Sequence, residues 1–558
     1  MKKIAYVSVV LLAIALLLTA MPATVSATGD VPIDATHFPD PVFRQRVLDT
    51  IDKNGDGLLQ EAECDAVTYL DLQVDEKASD DAKVHDLTGM EYFTNMFALN
   101  IIGNRVSSID LSPFSELSTL ACSFNPIESI DFSHNLNLTT ISAEHCALKS
   151  VDISMLPYCN FLEVTDNHIQ TLDLSQNPRM EFLHIRRNAL NELDLSDLTE
   201  LIELDVSDNN LTKIDVGQCD RLTQLLLADN PLTEVKFCDA WSYEELSLSH
   251  FDMASLDLSQ AMQLKELTVA YPKPIDRNTS VLKALKLPET DTLISLNLNE
   301  NYSLTSVDLS PYPNLEKFYF TGCKNCEPID FTKTPKLKEI QLSDVPNWPG
   351  HIQVDQCPDL EELWIQNSRS LGRVDVTQNP KLKKLSFYDS NVYYLDVSQN
   401  PELIRIDLTG TTLFCFDLSN NPNIDFATSK FGVHEYPIRL DLDSTCDLGA
   451  LSMGPIFDLA RVSNLKGATL EGKILKVDPS APAGQNPDGH VITYDYDCGQ
   501  GHTQSFTMRV IEREVPPPTE PTTLPPTGEA MTYVIYAIPV LMLAMVGILW
   551  GLAKRRYD

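Results

Sequence analysis

The sequence predicts a strand-rich solenoid of parallel strands in 21- to 22-residue units, with a small helical cap before it. A small antiparallel β domain and a C-terminal transmembrane helix follow. Three observations predict this. Asp110, Asp131, Asp152, Asp173, Asp194, Asp215 and Asp257 stand on a 21-residue ruler, with Lys236 at the one missing place. Leu120, Ile141, Leu162, Leu183, Leu204, Leu225, Leu246 and Leu267 form a second column at the same spacing, and Asn125, Cys146, Asn167, Asn188, Asn209 and Asn230 a third. The termini carry two long apolar runs of opposite layout, Ile4 to Leu18 and Met531 to Ala553.

In chain order, residues 1–27 read MKK, the apolar run, then Val25-Ser26-Ala27, the three-part layout of a secretory signal, with cleavage expected after Ala27. An uncleaved anchor is the alternative. Residues 28–83 hold Asp52, Asn54, Asp56, Leu58, Gln60 and Glu63 at every diagnostic position of a twelve-residue EF-hand calcium loop, with Gly57 at the sharp turn. Phe43, Val47 and Ile51 recur at helical spacing before it, so helix, loop and helix are predicted. A structural calcium ion is expected; the competing reading is a metal-free turn. No second loop is found to pair with it.

The solenoid is expected over 84–428, about fifteen units, with an irregular link near 270–280 and a second run of aspartates at Asp308, Asp330, Asp375, Asp396 and Asp417. The unit L-x-x-L-x-L-x-x-N-x-L-x-x-L-D-L-S matches the leucine-rich repeat consensus and resembles a bacterial class with 21-residue units. That resemblance implies a compact solenoid with little helix. In a strand, side chains alternate between faces, so the leucines of L-D-L point inward and the aspartate outward. The aspartate column is held either by hydrogen bonds to turn amides and the following serine or by bound cations. Outward positions of the first strand vary, and Phe161, Phe182, His184, Arg186, Arg187, Tyr319, Trp364 and Tyr388 are the candidate ligand face. Aromatics and arginine anchor interfaces; scattered surface aromatics are the bland alternative.

Residues 429–514 alternate apolar and polar, as in HVITYDY from His490, and predict a small antiparallel, immunoglobulin-like domain. The Pro/Thr-rich stretch 515–523 favours extended polyproline II and reads as a spacer. Residues 524–558 hold Leu524-Pro525-Pro526-Thr527-Gly528, the apolar helix 531–553 and a basic end, Lys554-Arg555-Arg556. This order resembles the LPxTG cell-wall sorting signal of Gram-positive surface proteins. The resemblance implies that sortase cuts after Thr527 and joins it to peptidoglycan. An ordinary tail anchor is the alternative.

The formal net charge is -37; without residues 1–27 (two lysines) and 528–558 (three basic, two acidic) it is 37 minus 77, or -40. Such a surface argues against nucleic acid as a partner. Most of the twelve cysteines occupy repeat columns, so a disulfide framework is not expected; Cys323 and Cys326 form a lone CxxC read as packed thiols in preference to metal or redox use, and Cys446 with Cys498 is the pair that invites a bridging test. No HExxH, GxSxG, P-loop or dinucleotide fingerprint occurs, so no enzyme is expected.

The whole layout resembles sortase-anchored, leucine-rich surface proteins such as the internalins. It implies secretion, wall anchoring and display of a binding surface for a protein or glycan. The competing class is an acidic structural stalk without a specific ligand.

Overall fold

The computed structural model describes residues 30–513, apart from 277–278, 324–325, 346–350, 369–370, 441–444, 449–456 and 478–490. The secretory segment, the LPPTG motif and the apolar run 531–553 therefore lie outside the described residues. Among those described, no helix is long and apolar enough to cross a membrane.

Helix α1 (Pro41–Thr50) starts where its sequence predicts. Asp40 caps it, accepting hydrogen bonds from Val42 N and Phe43 N at 2.9 Å, and Pro41 fits the first turn because its missing N–H would be unpaired there anyway. The other Asp40 oxygen accepts from His85 N at 2.7 Å and so fastens the cap to the solenoid. Phe43 and Val47 are fully buried with Phe38. Helix α2 (Glu61–Asp65) follows the loop and carries a reciprocal cap between Gln60 and Glu63.

The solenoid is built on one sixteen-stranded sheet, which begins at Tyr69–Asp71 and ends at Arg405–Asp407. Every neighbour pair in it is parallel, and the leucine column is in register from strand to strand: Ile141 opposite Leu162, Leu162 opposite Leu183, Leu183 opposite Leu204. These inward side chains are 0 to 1% exposed, so one column of leucines becomes one continuous core. Truncating one of them to alanine would cost about 2–5 kcal/mol, the range for a buried leucine that leaves a cavity.

The asparagine column joins consecutive turns. Asn209 Nδ2 donates to Ile185 O of the preceding turn and to Val206 O of its own, both at 3.0 Å, while its Oδ1 accepts from Leu190 N at 3.0 Å. Asn125, Asn167, Asn188 and Asn230 repeat the pattern. Where Cys146 replaces asparagine, its thiol reaches Cys122 O at 3.4 Å. Just before this column the backbone turns left-handed once per turn, at Phe124, His145, Asp166, Arg187, Asp208, Asp229, His250 and Tyr271.

The L-D-L segments keep the expected in-out-in pattern: Leu172 and Leu174 are buried and Asp173 is exposed. They pair as strands in only part of the chain, for instance Lys213–Asp215 with Glu234–Lys236 and Ser255–Asp257 with Ala284–Lys286. Each aspartate folds back on itself. Ser133 N, Ser175 N and Ser196 N donate to Asp131, Asp173 and Asp194 at 2.9 to 3.0 Å, and these amides, helped by the serine hydroxyls, hold the carboxyls below their ordinary range. The local hydrogen-bond explanation of the column is thus the one the geometry supplies, and the asparagine of LDLSQNP, Asn177, is fully buried and donates to Ile153 O and Leu156 O.

After the sheet, His434–Leu440, Thr503–Arg513, Val491–Asp497 and Val462–Lys466 form a four-stranded sheet; Thr445–Asp447, Ile474–Val477 and Ala468–Glu471 form a three-stranded one. The expectation of an antiparallel, immunoglobulin-like domain is corrected: His434–Leu440 runs parallel to Thr503–Arg513, and an immunoglobulin-like arrangement is not supported. That first strand leaves the solenoid and meets the domain's last strand, with the rest of the domain inserted between them. Tyr494 Oη donates to Phe414 O, Gln500 Nε2 donates to Ser419 O at 2.8 Å and Arg461 pairs with Asp417 at 2.9 Å, so the domain closes the end of the solenoid core. No disulfide joins any of the twelve cysteines, Cys446 and Cys498 included, and burial raises the thiol pKa values of Cys323 and Cys326, the latter to about 11.

Candidate binding face and calcium loop

The varied outward positions of the sheet gather in two places. Phe161 and Phe182 open adjacent strands directly opposite one another, with ring centroids 6.0 Å apart, and His184 meets the edge of Phe161 at 5.9 Å. His184 stands between two carboxylates, 3.5 Å from Glu163 and 3.5 Å from Glu203. Burial opposes its charge, but the contacts with Glu163 and Glu203 outweigh burial and push its pKa up to about 9. The two carboxylates therefore favour its protonated form. Arg186 continues the same strand line and pairs with Asp208 at 3.1 Å. Arg187 does not belong to the strand positions: it is one of the left-handed turn residues, clasped by Asp166 at 3.1 Å and Asp208 at 3.5 Å. The sequence pattern alone could not separate it from Arg186.

The second group lies further along the face. Tyr319 and Trp364 are the central residues of Lys317–Thr321 and Glu362–Gln366, with Gln341 on the strand between them. Trp364 Nε1 donates to Glu362 at 3.2 Å, and the Arg405 guanidinium stands over the indole at 5.8 Å, a cation–π distance. Tyr388 follows the next strand, Lys384–Ser386, and is 43% exposed. The eight residues therefore do not form a single contiguous patch.

Between the groups lies an open depression of about 240 Å³. Its floor is made by small side chains, Ser207, Ala228, Ser247 and Thr268; Asp205, Asp229, Glu245 and Glu266 make its lining mainly acidic, with Arg186 of the first group as the cation at its side. Burial raises the Glu245 carboxyl; the Gln224 amide opposes this and Glu266, Asp205 and Glu203 add to it. This depression was missed in the sequence. The signal was present as runs of serine, alanine and threonine at outward positions, but only strand register shows that they adjoin.

The six loop residues of the cap converge. Asp52 accepts from Gly55 N at 2.7 Å and Gly57 N at 3.0 Å, and Glu63 spans the loop, accepting from Lys53 N at 2.7 Å and Gln60 N at 3.1 Å. Gln60 Nε2 donates to both oxygens of Asp56 (3.3 and 3.1 Å) and to Leu58 O (3.4 Å), while Asn54 Nδ2 donates to Gln60 Oε1 at 2.9 Å. A partly positive amide thus sits where Asp56 and the Leu58 carbonyl converge. The all-oxygen donor set suits calcium. The strand Leu58–Leu59, which in an EF-hand pair would meet the second loop, is instead paired antiparallel with Val31–Pro32.

No family model matches this chain, and no curated protein matches it. Among solved structures it is similar to the functional domain of InlJ from Listeria monocytogenes, which includes a cysteine ladder, at 20% identity and a TM-score of 0.65, covering 88% of this chain and 100% of that one. An internalin, InlF, from the same organism matches at 16% identity and TM-score 0.39, covering 72% and 98%. A leucine-rich repeat protein of Leptospira interrogans matches at 17% and 0.40, covering 55% and 75%. The first of these likenesses establishes the fold, a strand-rich parallel solenoid of the leucine-rich repeat type.

Proposed function

We propose that this chain is a secreted, non-catalytic surface protein, joined to peptidoglycan by sortase through its LPPTG motif, that recognises a protein ligand on the outward face of its sixteen-stranded sheet. The observation that carries the reading is the contrast between an unvarying interior and a varied face with two aromatic and arginine-bearing groups. The signal-like first 27 residues and the sorting-like tail support display outside the membrane. Calcium in the Asp52 to Glu63 loop is proposed as a structural ion that fixes the cap over the first strands, at an affinity suited to extracellular calcium.

The test is capture of surface proteins from contacting cells by the exported chain, residues 28–527, and by a variant with Phe161→Ala, Phe182→Ala and Trp364→Ala. A ligand retained by the first and lost by the second supports recognition; equal capture by both removes this face from consideration. The acidic depression and the exported charge of -40 favour a second reading, a solvated stalk without a ligand. It predicts no specific capture at all.

A further inference from the structure

We propose that Glu144, His145 and Asp166 form a zinc-class divalent metal site on the left-handed turn edge of the solenoid, separate from the calcium loop. Among the described residues, this is the one group of three His, Cys, Asp or Glu side chains whose ligand atoms all lie within 4.8 Å of one another. His145 Nε2 is 3.1 Å from Asp166 Oδ2 and 3.9 Å from Glu144 Oε1. Zinc holds nitrogen and oxygen at about 2.0–2.2 Å, which puts tetrahedral donors about 3.3 Å apart, so the group, whose ligand atoms all lie within 4.8 Å of one another, closes on an ion through side-chain shifts of up to about 1.5 Å.

The scaffold explains why three donors from two turns meet. His145 and Asp166 are successive left-handed residues, φ 50° and 56°, so their side chains are stacked one turn apart. Their amides are fixed by the next turn: His145 N donates to Thr165 O and Asp166 N to Arg186 O, both at 2.9 Å. Glu144 N donates to Ser123 Oγ at 3.0 Å. The Phe124 ring lies against the imidazole, centroids 4.7 Å apart and planes 27° apart, which orients it. Arg187 donates to Asp166 Oδ2 at 3.1 Å. A carboxylate has about four lone-pair sites, so Asp166 can hold guanidinium and metal together, with Arg187 setting its orientation.

One imidazole with two carboxylates suits zinc, whereas calcium takes oxygen donors alone. Three protein donors leave a fourth position open to water or to a side chain of a partner. The side chains of His145 and Glu144 are 43% and 32% exposed, so an ion has access.

Zinc titration of the exported chain by calorimetry, in millimolar calcium so that the other loop is filled, tests this. One equivalent of zinc is expected, and His145→Ala and Asp166→Ala should each weaken it by more than about tenfold, the scale on which even an outer partner of a metal ligand matters. Asp56→Asn, in the calcium loop, should leave the zinc equivalent unchanged. Circular dichroism checks that each variant is folded, and cobalt substituted for zinc should give visible absorption that His145→Ala removes. No stoichiometric uptake, or uptake that survives either substitution, overturns the assignment and leaves His145 as an ion-pair partner of Asp166.

Discussion

Replacing His184 with glutamine removes a cation that two neighbouring glutamates share, and the effect should depend on pH in a defined direction. The folded pKa of about 9 lies above the ordinary value of 6.5, so protonation favours the folded state. The stabilisation is fully present below pH 6.5 and is lost as pH rises through 9. A difference of 2.5 units at 1.36 kcal/mol each is about 3 kcal/mol, and the side chain is only 16% exposed, so solvent screening removes little of it. At pH 8 less than half of it should remain, and at pH 10 almost none. Glu163, Glu203 and Asp205 are the acidic groups close to the imidazole. Urea unfolding of the native chain and His184→Gln at pH 6, 8 and 10 measures the gap directly. A gap that closes with rising pH is expected; a gap equal at all three values would refute the carboxylate clamp.

Asn209→Ala should lower stability by about 1–3 kcal/mol in urea, because it strips hydrogen bonds from buried carbonyls of two turns and from Leu190 N. Asp52→Ala should abolish about one calcium site in calorimetry of the exported chain, since that carboxylate also organises the loop through Gly55 and Gly57. Raising salt from low ionic strength should leave the urea midpoint nearly flat, because the aspartate column is held by its own turn amides; a marked salt-dependent gain would point to repulsion that cations relieve. Tyr494→Phe removes the buried hydroxyl donated to Phe414 O and should loosen the C-terminal domain by about 1–2 kcal/mol, read as earlier proteolysis of residues 440–513.

The solenoid was legible because its interior repeats chemistry as well as position: Leu162, Leu183 and Leu204 occupy one column and Asn167, Asn188 and Asn209 another. The left-handed column was not legible. Phe124, His145, Asp166 and Arg187 share a backbone conformation and no chemical property, and only Gly103, Gly322, Gly410 and Gly432 mark the same kind of place with the expected residue. That column is where Arg187 and the proposed metal site lie, so both escaped a reading of strands. The turn from Asp52 to Glu63 was readable from its residue spacing, but the pairing of Leu58–Leu59 with Val31–Pro32 was not, since two residues carry no period. The parallel pairing of His434–Leu440 with Thr503–Arg513 joins residues far apart in sequence, and alternation fixes faces without fixing direction. The acidic depression needed register as well, because Asp205, Glu245 and Glu266 come from three different strands.

The most direct measurement of the central claim is site-specific photo-crosslinking on the exported chain, with the reactive group placed at position 182 on the sheet face or at position 173 on the aspartate column. Incubated with contacting cells, the chain is predicted to yield one discrete adduct from position 182 and none from position 173. An adduct from 173 alone, or equal labelling from both, would contradict recognition by the sheet face.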